Sequence, residues 1–327
     1  MTDTIRWGIL STGRIAKKFA EGLSVLPDAE LVAVGSRAQS SADAFGDTYG
    51  VPRRHASYDA LVNDPDVDVI YVATPHPLHR ENSILCLEAG KAVLCEKPFA
   101  INASEAKEVV SLAREKRLFL MEAMWTRFLP VIVQTRGLLA DGAIGDLRMI
   151  IADFGFRADI DPKSRLFDPN LGGGALLDVG VYPVSLTSML LGTPTYITSA
   201  AHLGETAVDE QAAIIFGYGK GQLALLAAAV RTDTPIEATL MGTKGRIHIH
   251  SPWYYSSALT LSVTGHEDVV MRLPYKGNGY SHEATEVMRC LREGKRESDK
   301  MPLDETLSIM ETMDTIRAQW GLRYPME

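Results

Sequence analysis

The residue best placed for chemistry in this sequence is a lysine at the end of a short apolar segment. Ala92–Cys95 has the composition of a buried strand, and Glu96-Lys97-Pro98 follows it directly. Proline ends a strand because it has no N–H to donate, and a lysine among apolar neighbours is costly unless an anion or a reacting group lies beside it. Two interpretations follow. Lys97 faces a nicotinamide ring and the substrate carbon that exchanges hydride with it, or Lys97 ends the strand and extends to water.

A second chemical pair is Asp178 and Tyr182, four residues apart on a helix predicted to begin near Gly174. This spacing places an acid and a phenol on one helix face. The pKa of an unperturbed tyrosine is about 10, and a nearby ammonium such as Lys97 lowers it. In the predicted mechanism Tyr182 takes the proton of a substrate hydroxyl, helped by Lys97, while hydride moves to the nicotinamide. Asp178 orients the substrate or Lys97. The alternative is a helix cap beside a core tyrosine.

The start of the chain has the pattern of a dinucleotide-binding turn. A strand predicted over Ile5–Leu10 runs through small residues into a helix that ends near Ser24. In such a motif glycines let the backbone approach a pyrophosphate at the helix N-terminus. Here Ser11 and Ala16 replace the first and third glycines, and Gly13 is retained. An ordinary strand–helix turn is the alternative. The predicted cofactor contacts are Gly8, Ser11, Thr12, Gly13, Arg14 and Ile15.

The second predicted strand, Glu30–Gly35, ends in Ser36 and Arg37, where a Rossmann fold contacts the adenosine ribose. An acidic residue at this point accepts from the ribose 2′-OH and repels a 2′-phosphate. Arg37 can instead pair with a phosphate dianion through two hydrogen bonds. We therefore predict that Ser36 and Arg37 bind the cofactor and that NADP(H) is preferred over NAD(H). The alternative is a solvated loop arginine.

Other predicted strands of the first half also end in polar or aromatic residues. Val67–Ala73 is followed by Thr74-Pro75-His76-Pro77-Leu78-His79, and Leu118–Met121 is followed by Glu122 and Trp125. The carboxyl ends of parallel strands share one edge of a sheet, where ligands bind. We therefore predict an α/β fold, with a doubly wound parallel sheet of the Rossmann type over residues 1–123. For His79 a helix cap is an equal alternative to cofactor contact. The residues predicted to face the cofactor from these loops are Thr74, His76, His79 and Glu96.

Residues 124–327 are predicted to form a second domain for substrate binding and oligomerisation. Helices accompany a series of strands joined by hairpins at 219–220 and 243–244, which predicts an α+β domain with a large, mostly antiparallel, open sheet. In Gln222–Val230 both alternating sets of side chains are largely apolar, whereas a strand with one face in water alternates. We predict a homodimer, or a higher oligomer, through this sheet. A two-sided core within one chain is the alternative.

Composition restricts the class of protein. The 327 residues suffice for two domains, and a net charge of −8 argues against nucleic acid as a partner. Cys86, Cys95 and Cys290 have neither disulfide nor metal spacing, which indicates reduced thiols and no metal site. We expect no signal peptide and no membrane span. These features predict a cytoplasmic protein with a small-molecule partner.

Several of these segments together resemble the Gfo/Idh/MocA family of oxidoreductases. The resemblance lies in Cys95-Glu96-Lys97-Pro98 and in Asp178-Val179-Gly180-Val181-Tyr182. Two further runs, 6–16 and 118–128, are similar to the branch of dimeric dihydrodiol dehydrogenase and D-xylose dehydrogenase (NADP). The serine in the first turn is therefore a departure from the glycine fingerprint that the branch shares.

The resemblance implies roles for individual residues. Lys97 and Tyr182 match the catalytic lysine and the His/Tyr position of the family, and Asp178 matches its site aspartate. Aromatic residues of the substrate pocket are matched by Trp125 and Phe154. The residues of this segment implied to contact the cofactor are Trp125 and Arg127.

The resemblance also implies the activity. Members of this branch transfer hydride between NADP(H) and a hydroxyl or carbonyl of a small sugar, such as D-xylose, or of a trans-dihydrodiol. His76 stands where the family commonly has asparagine, so its contact to the nicotinamide is a point of difference. Two alternatives are a dinucleotide-binding regulator that has lost catalysis and an NAD-dependent glycosidase of the same fold.

Overall fold

The structure, a computed structural model, describes residues 4–327. The chain divides into two compact units. The first runs to Trp125 and includes Lys276–Leu307, and the second consists of Thr126–Tyr275 and Ser308–Glu327. The predicted boundary at 123/124 placed all later residues in the second domain. The structure instead groups Lys276–Leu307 with the first unit.

Strands and helices alternate in the first half of the chain, and strands predominate in the second half. The strands are β1 (Ile5–Leu10), β2 (Ala29–Gly35), β3 (Arg53–His55), β4 (Val69–Val72), β5 (Ala92–Glu96), β6 (Leu120–Ala123), β7 (Leu147–Gly155), β8 (Tyr196–Leu203), β9 (Asp209–Gly217), β10 (Leu223–Ala229), β11 (Ala238–Gly242), β12 (Gly245–Ile249), β13 (Ala258–Val263) and β14 (Val269–Arg272). The helices are α1 (Arg14–Leu23), α2 (Gln39–Tyr49), α3 (Tyr58–Val62), α4 (His79–Glu88), α5 (Ala103–Lys116), α6 (Pro130–Ala140), α7 (Val181–Leu191), α8 (Tyr280–Arg292) and α9 (Leu303–Ala318).

The first unit contains a six-stranded sheet in the order β3-β2-β1-β4-β5-β6, in which neighbouring strands are parallel. This order confirms the predicted Rossmann arrangement. β4 and β5 are buried along their whole length, as expected of parallel strands covered by helices on both faces. The strand order reverses between β1 and β4, and ligands bind at such a point in open α/β sheets.

The strand before Trp125 differs from the prediction in its register. β6 covers Leu120–Ala123 rather than 118–121, so Glu122 lies within the strand and is fully buried. Its Oε2 accepts a hydrogen bond of 3.1 Å from Thr306 Oγ1. Glu122 therefore packs into the interior of the first unit and does not lie at the sheet edge.

Two local features of the first unit were not predicted. Arg53–His55 forms the short edge strand β3, although its composition is polar. Helix α5 begins after Asn102, whose side chain accepts the Glu105 N–H at 2.9 Å, whereas the sequence favours Ser104 as the cap. Asparagine is at least as good an N-cap as serine, because its carbonyl oxygen reaches the same backbone amide.

Helix α8 belongs to the first unit because it packs on α1. A Cβ at Gly22 would lie 2.8 Å from Tyr280 Cβ, so the two backbones approach closely. Asn278 Nδ2 donates to the Lys18 carbonyl at 2.7 Å, and Arg292 forms an ion pair of 2.7 Å with Asp28. These contacts join segments that are far apart in the sequence, and patterning within either segment does not reveal them.

The second unit contains an eight-stranded sheet in the order β14-β13-β12-β11-β7-β10-β9-β8. Neighbouring strands are antiparallel except for β10 and β7, which are parallel. The predicted large, mostly antiparallel sheet is therefore confirmed. The hairpins predicted at 219–220 and 243–244 connect β9 to β10 and β11 to β12.

The two faces of this sheet differ in burial. On β10, Ala224 and Leu226 are buried, whereas Leu225 is 38% exposed. Leu225 pairs with Ile215 on β9 and with Ile151 on β7, and both are also exposed. Leu225 and these two neighbours therefore lie on a face that residues 4–327 leave partly exposed, and this part of β10 is not inside a two-sided core.

Among the residues that the structure describes, one helical stretch, Pro169–Leu191, is long and apolar enough to cross a membrane by length and composition. The expectation from the sequence was that no such stretch exists. Its most apolar window is 78% buried inside the structure, which is also what the core helix of a globular unit shows.

Candidate active site

The turn between β1 and α1 has the backbone geometry of a phosphate-binding loop. Ser11 lies in the left-handed region with φ at 97°, a conformation for which glycine is the default. Gly13 is the N-cap of α1, and no side chain from residues 4–327 caps this helix. The first turn, Arg14–Lys17, contains no acidic residue. The first amides of α1 therefore suit an anion, which the helix dipole also favours.

The residues predicted around this turn differ in burial. Gly8 is buried within β1, and a Cβ there would lie 3.0 Å from Val67 Cγ1, so glycine permits close packing inside the sheet. The residues of the turn itself are accessible to a ligand: Ser11, Thr12 and Ile15 are half-buried, and Gly13 and Arg14 are exposed.

Arg37 lines a cleft that follows the carboxyl end of β2. The cleft has a volume of about 470 Å³, and Ser57 and Tyr58 are among its other lining residues. The Arg37 side chain is exposed, and it makes no hydrogen bond or ion pair within the described part of the chain. Asp59 and Glu81 also line the cleft, so the part beside Arg37 is where an anion fits best. The neighbouring Ser36 is buried and donates its N–H to the His55 carbonyl at 3.0 Å.

The loop after β4 is connected to the loop after β5 by His79. The imidazole is fully buried, with Nε2 2.8 Å from the Thr74 carbonyl and Nδ1 2.8 Å from the Pro98 carbonyl. Burial lowers the pKa of His79 to about 4, and a neutral ring can donate to one of these two carbonyls at a time. Asn82 Nδ2 also donates to Thr74 Oγ1, at 3.2 Å. His79 thus links the loops after β4 and β5 and is not an exposed helix cap. His76, in the same loop, is half-buried.

The backbone at Lys97 is held in place by the side chain of Glu96. Glu96 is buried, its Oε2 accepts the Lys97 N–H at 3.1 Å, and its Oε1 accepts a short hydrogen bond from the Tyr71 hydroxyl. Lys97 itself is half-buried. The strand predicted over Ala92–Cys95 is present as β5, and at its end one buried carboxyl group, which was not predicted to do so, fixes the chain that carries the lysine.

A second buried carboxyl group lies near this hydrogen bond. Glu283 on α8 is fully buried, and neither of its carboxyl oxygens has a hydrogen-bond partner among residues 4–327. Burial, together with the charge of Glu96, raises the pKa of Glu283 well above its usual value. The protonated form of Glu283 is therefore favoured, since a second carboxylate beside Glu96 would be repelled.

Trp125 contributes an aromatic surface to the first unit. Its ring stacks on Tyr280 with 4.7 Å between the centroids and 22° between the planes. Trp125 is buried apart from 4% of its surface. Tyr280 is the first residue of α8, so the return of this helix to the first unit also supports Trp125.

In the second unit the helix that carries Asp178 and Tyr182 begins with a π-helical segment, Leu176–Gly180, which leads directly into α7. Such single wide turns are often found at functional sites. Asp178 is buried and pairs with Arg165 through two hydrogen bonds, Nη1 to Oδ1 at 2.7 Å and Nη2 to Oδ2 at 3.2 Å. The pair holds the Asp178 carboxylate in a defined orientation.

Tyr182 belongs to an aromatic cluster in the second unit. Phe154 at the end of β7 stacks on Tyr254 with 4.1 Å between the centroids. The Tyr182 ring lies 5.3 Å from Phe154 and 5.5 Å from Tyr254. The structure therefore brings Phe154 and Tyr182 together, as expected for two residues that line one substrate pocket.

Arg127 is attached to the same helix. Its guanidinium is buried and donates from Nε to Ser185 Oγ and from Nη2 to the Ser185 carbonyl, both at 3.0 Å. Arg127 therefore has a structural role on α7, and its contact with the cofactor stays a prediction.

Some residues of the site were not predicted. Arg165 lies in an irregular stretch, where neither periodicity nor a motif singles it out. Tyr254 lies in the short helical turn Trp253–Tyr255, far from Phe154 in the sequence. For Glu283 the sequence does contain a signal, because this acidic residue stands among the apolar residues that form the buried face of α8.

The residues of the first unit fit a dinucleotide. The glycine-like Ser11, the uncapped start of α1 and the Arg37 cleft form a path for negatively charged groups along the carboxyl edge of the sheet. Among residues 4–327, no group of three or more His, Cys, Asp or Glu side chains is placed to hold a metal ion.

Comparison with protein families agrees with this fold. Residues 5–124 match the model described as "Oxidoreductase family, NAD-binding Rossmann fold", and residues 132–248 match the "GFO/IDH/MocA C-terminal domain". Together these models cover more than half of the chain.

Two curated relatives are similar over nearly their whole length. Trans-1,2-dihydrobenzene-1,2-diol dehydrogenase of Xenopus laevis is 40% identical over 332 residues, which is 98% of this chain and 99% of the relative. The protein of the same name from Homo sapiens is 37% identical over 332 residues, covering 99% of each.

Two solved structures share the fold. A 3-ketoreductase from Actinomadura kijaniata, in complex with NADP and TDP-benzene, has a TM-score of 0.87 and 25% identity over 97% of this chain and 98% of its own. An aldose-aldose oxidoreductase from Caulobacter crescentus, complexed with glycerol, has a TM-score of 0.89 and 24% identity over 98% of each chain.

Proposed function

Because this chain belongs to the Gfo/Idh/MocA family of NAD(P)-binding oxidoreductases, we propose that it is an NADP-dependent dehydrogenase of a trans-dihydrodiol or of an aldopyranose such as D-xylose. The chain is a dehydrogenase or reductase that acts on CH–OH groups. The observation that carries the choice of substrate is the nearly full-length similarity to trans-dihydrodiol dehydrogenases. The neighbouring aldose-aldose oxidoreductase has the same fold.

The preference for NADP(H) is supported by the end of β2. Ser36 and Arg37 follow this strand, so the strand end itself carries no carboxylate to accept from a ribose 2′-OH or to repel a 2′-phosphate. The Arg37 guanidinium is exposed beside a cleft and has no ion-pair partner in the described chain. It is therefore ready to bind a phosphate dianion with two hydrogen bonds.

The bound dinucleotide supplies the carbon that accepts or returns hydride. The residues of the chain that would hold it are Ser11, Thr12, Gly13, Arg14 and Ile15 at the pyrophosphate, Ser36 and Arg37 at the adenosine ribose, and Thr74, His76, Glu96 and Trp125 along the sheet edge. For His79, the proposed role is to hold Thr74 and Pro98, since both ring nitrogens already face carbonyl groups.

The proton of the substrate hydroxyl is assigned to Lys97 and Tyr182. The Lys97 ammonium stabilises the Tyr182 phenolate, and in oxidation this phenolate takes the proton and becomes the neutral phenol. Asp178, held by Arg165, accepts a hydrogen bond from a second hydroxyl of the substrate. The aromatic faces of Phe154 and Tyr254 pack against the carbon skeleton of a diol or sugar ring.

The experiment that tests this function is the absorbance of NADPH with purified protein and NADP⁺. The substrates are trans-1,2-cyclohexanediol, D-xylose, D-glucose and myo-inositol. Reduction of NADP⁺ with the diol or with xylose, and little with inositol, is expected. No reduction with any of them, while NADPH still binds, would contradict the proposal and favour a regulator. Hydrolysis of an aryl glycoside without net reduction would favour a glycosidase.

The proposed assembly is a homodimer, or a higher oligomer, through the open face of the eight-stranded sheet. Ile215, Leu225 and Ile151 are direct neighbours across three strands of this face, and each is about two-fifths exposed. A continuous apolar row at the centre of a sheet is stabilised when a second copy covers it. In sedimentation velocity, Leu225→Asp should shift the protein to monomer and Ile160→Asp, at an equally exposed loop position, should not. Equal behaviour of the two variants would contradict the proposal.

The proposed location is the cytoplasm. Cys86, Cys95 and Cys290 are all free and buried, as expected of thiols that are kept reduced. Fractionation of cells that produce the protein tests this, and its recovery outside the cytoplasmic fraction would contradict it.

A further inference from the structure

The helix that carries Asp178 and Tyr182 is preceded by a turn that two distant side chains hold. Asp209, the first residue of β9, is fully buried, and its Oδ2 accepts the Leu176 N–H at 2.6 Å. Tyr324, near the end of the chain, is 2% exposed and donates its hydroxyl to the Gly173 carbonyl at 2.8 Å. We call Asp209 and Tyr324 the turn clamp.

The backbone of this turn leaves no space for a side chain at either of its two glycines, Gly173 and Gly174. Gly174 has φ at 116°, and a Cβ there would lie 2.1 Å from Asp209 Oδ1. A Cβ at Gly173 would lie 2.9 Å from the Leu166 carbonyl oxygen. Both glycines are required because the turn clamp and the preceding loop pack directly against this backbone.

The turn that the turn clamp holds is connected to residues next to both Arg165 and Asp178. Leu166, next to Arg165, accepts the Gly174 N–H through its carbonyl at 2.9 Å. Leu176, held by Asp209, opens the π-helical segment that contains Asp178. A shift of the turn would therefore move the arginine and the carboxylate relative to each other, and would move Tyr182 with the helix.

Tyr324 is itself fixed by the last residues of the chain. Its N–H donates to Glu327 Oε2 at 2.9 Å. The same carboxylate accepts hydrogen bonds from the two terminal nitrogens, Nη1 and Nη2, of Arg317 on α9. Burial and the charge of Asp209 raise the pKa of Tyr324 well above its usual value, so its hydroxyl keeps the proton that it donates. The end of the chain is thus part of the support of the turn.

We propose that Asp209 and Tyr324 are positioning residues that set the placement of Asp178 and Tyr182 for the reaction, without contacting substrate or cofactor. This inference rests on the proposed function, in which Asp178 and Tyr182 meet the substrate. It predicts that loss of either hydrogen bond lowers turnover but leaves dinucleotide binding intact, because the dinucleotide residues belong to the first unit.

The test uses Tyr324→Phe, Asp209→Ala and Asp209→Asn, with Tyr218→Phe as the matched control. Tyr218 is a buried tyrosine of the same unit, and the side chain that faces its hydroxyl is Thr187 on α7, outside the turn. Tyr324→Phe and Asp209→Ala should lower kcat by about 10- to 100-fold, the usual cost of a misplaced reacting group, with an unchanged Kd for NADPH. Asp209→Asn keeps an acceptor oxygen for the Leu176 N–H and should recover part of the loss. Tyr218→Phe should retain kcat.

Hydrogen exchange of the amides from Gly173 to Tyr182 supplies a readout that does not depend on activity. Faster exchange in Tyr324→Phe and Asp209→Ala, but not in Tyr218→Phe, is expected. Folded variants with wild-type kcat and wild-type exchange would overturn the inference. If the wild-type protein turns over none of the substrates, the proposed function fails, and the exchange rates alone then decide whether the turn clamp exists.

Discussion

Replacement of Arg37 provides a quantitative test of cofactor choice. Hydrogen bonds to charged groups contribute about 1.5–3 kcal/mol, and the lower end applies because the Arg37 side chain is exposed to solvent. Arg37→Ala should therefore weaken NADP⁺ binding by about tenfold. Arg37→Asp adds repulsion between a carboxylate and a dianion, about 1 kcal/mol at a separation of about 5 Å in screened solvent. The total, about 2.5 kcal/mol, corresponds to a loss of about 70-fold.

The assay is the Kd of NADP⁺ and of NAD⁺ by titration calorimetry at one fixed ionic strength. NAD⁺ lacks the 2′-phosphate, so its Kd should stay within about twofold in both variants. Arg117→Asp is the matched control, since Arg117 is an exposed arginine of the same unit and the change alters net charge equally. Equal weakening of NADP⁺ and NAD⁺ by Arg37→Asp, or equal effects of the two aspartate variants, would refute the assignment of Arg37 to the phosphate.

Three further predictions concern catalysis and stability. Lys97→Met should lower kcat by about 100-fold or more, the usual range for a lost proton-transfer group, while NADPH fluorescence titration shows binding retained; near-normal kcat would exclude a catalytic role. Ser11→Gly should raise the free energy of unfolding by about 1 kcal/mol, because glycine adopts the observed φ of 97° without strain; an unchanged or lower melting temperature would contradict this. Burial raises the pKa of Asp209 to about 7, above its unfolded value of about 4, so its contribution to stability is fully present below about pH 4 and is lost as pH rises through about 7. Denaturant unfolding across this range should show that loss in the wild-type protein and not in Asp209→Asn.

The parallel sheet and the residues at its carboxyl edge could be predicted from the sequence, because each strand is a short, continuous apolar run that ends at a polar or charged residue. Lys97 after β5 and Arg37 after β2 illustrate this. Proline and the change in polarity mark the end of a strand, and parallel topology then places the ends at one edge. No knowledge of long-range contacts was needed for that step.

The parts that could not be predicted depend on contacts between distant segments. Helix α8 joins the first unit through Gly22 and Asn278, and no local pattern records such a contact. Arg165 becomes the partner of Asp178 only when an irregular stretch folds back on the helix. The parallel pairing of β10 with β7 is of the same kind, because a strand's own residues do not specify which neighbour it takes.

The measurement that tests the central claim most directly follows the hydride itself. Purified protein is incubated with NADP⁺ and trans-1,2-cyclohexanediol, or D-xylose, that carries deuterium on the carbinol carbon. The NADPH formed is then analysed by NMR. We predict one deuterium at C4 of the nicotinamide, on one face only, and loss of deuterated NADPH in Lys97→Met. NADPH without deuterium, or oxidation of the substrate with no NADPH, would contradict it.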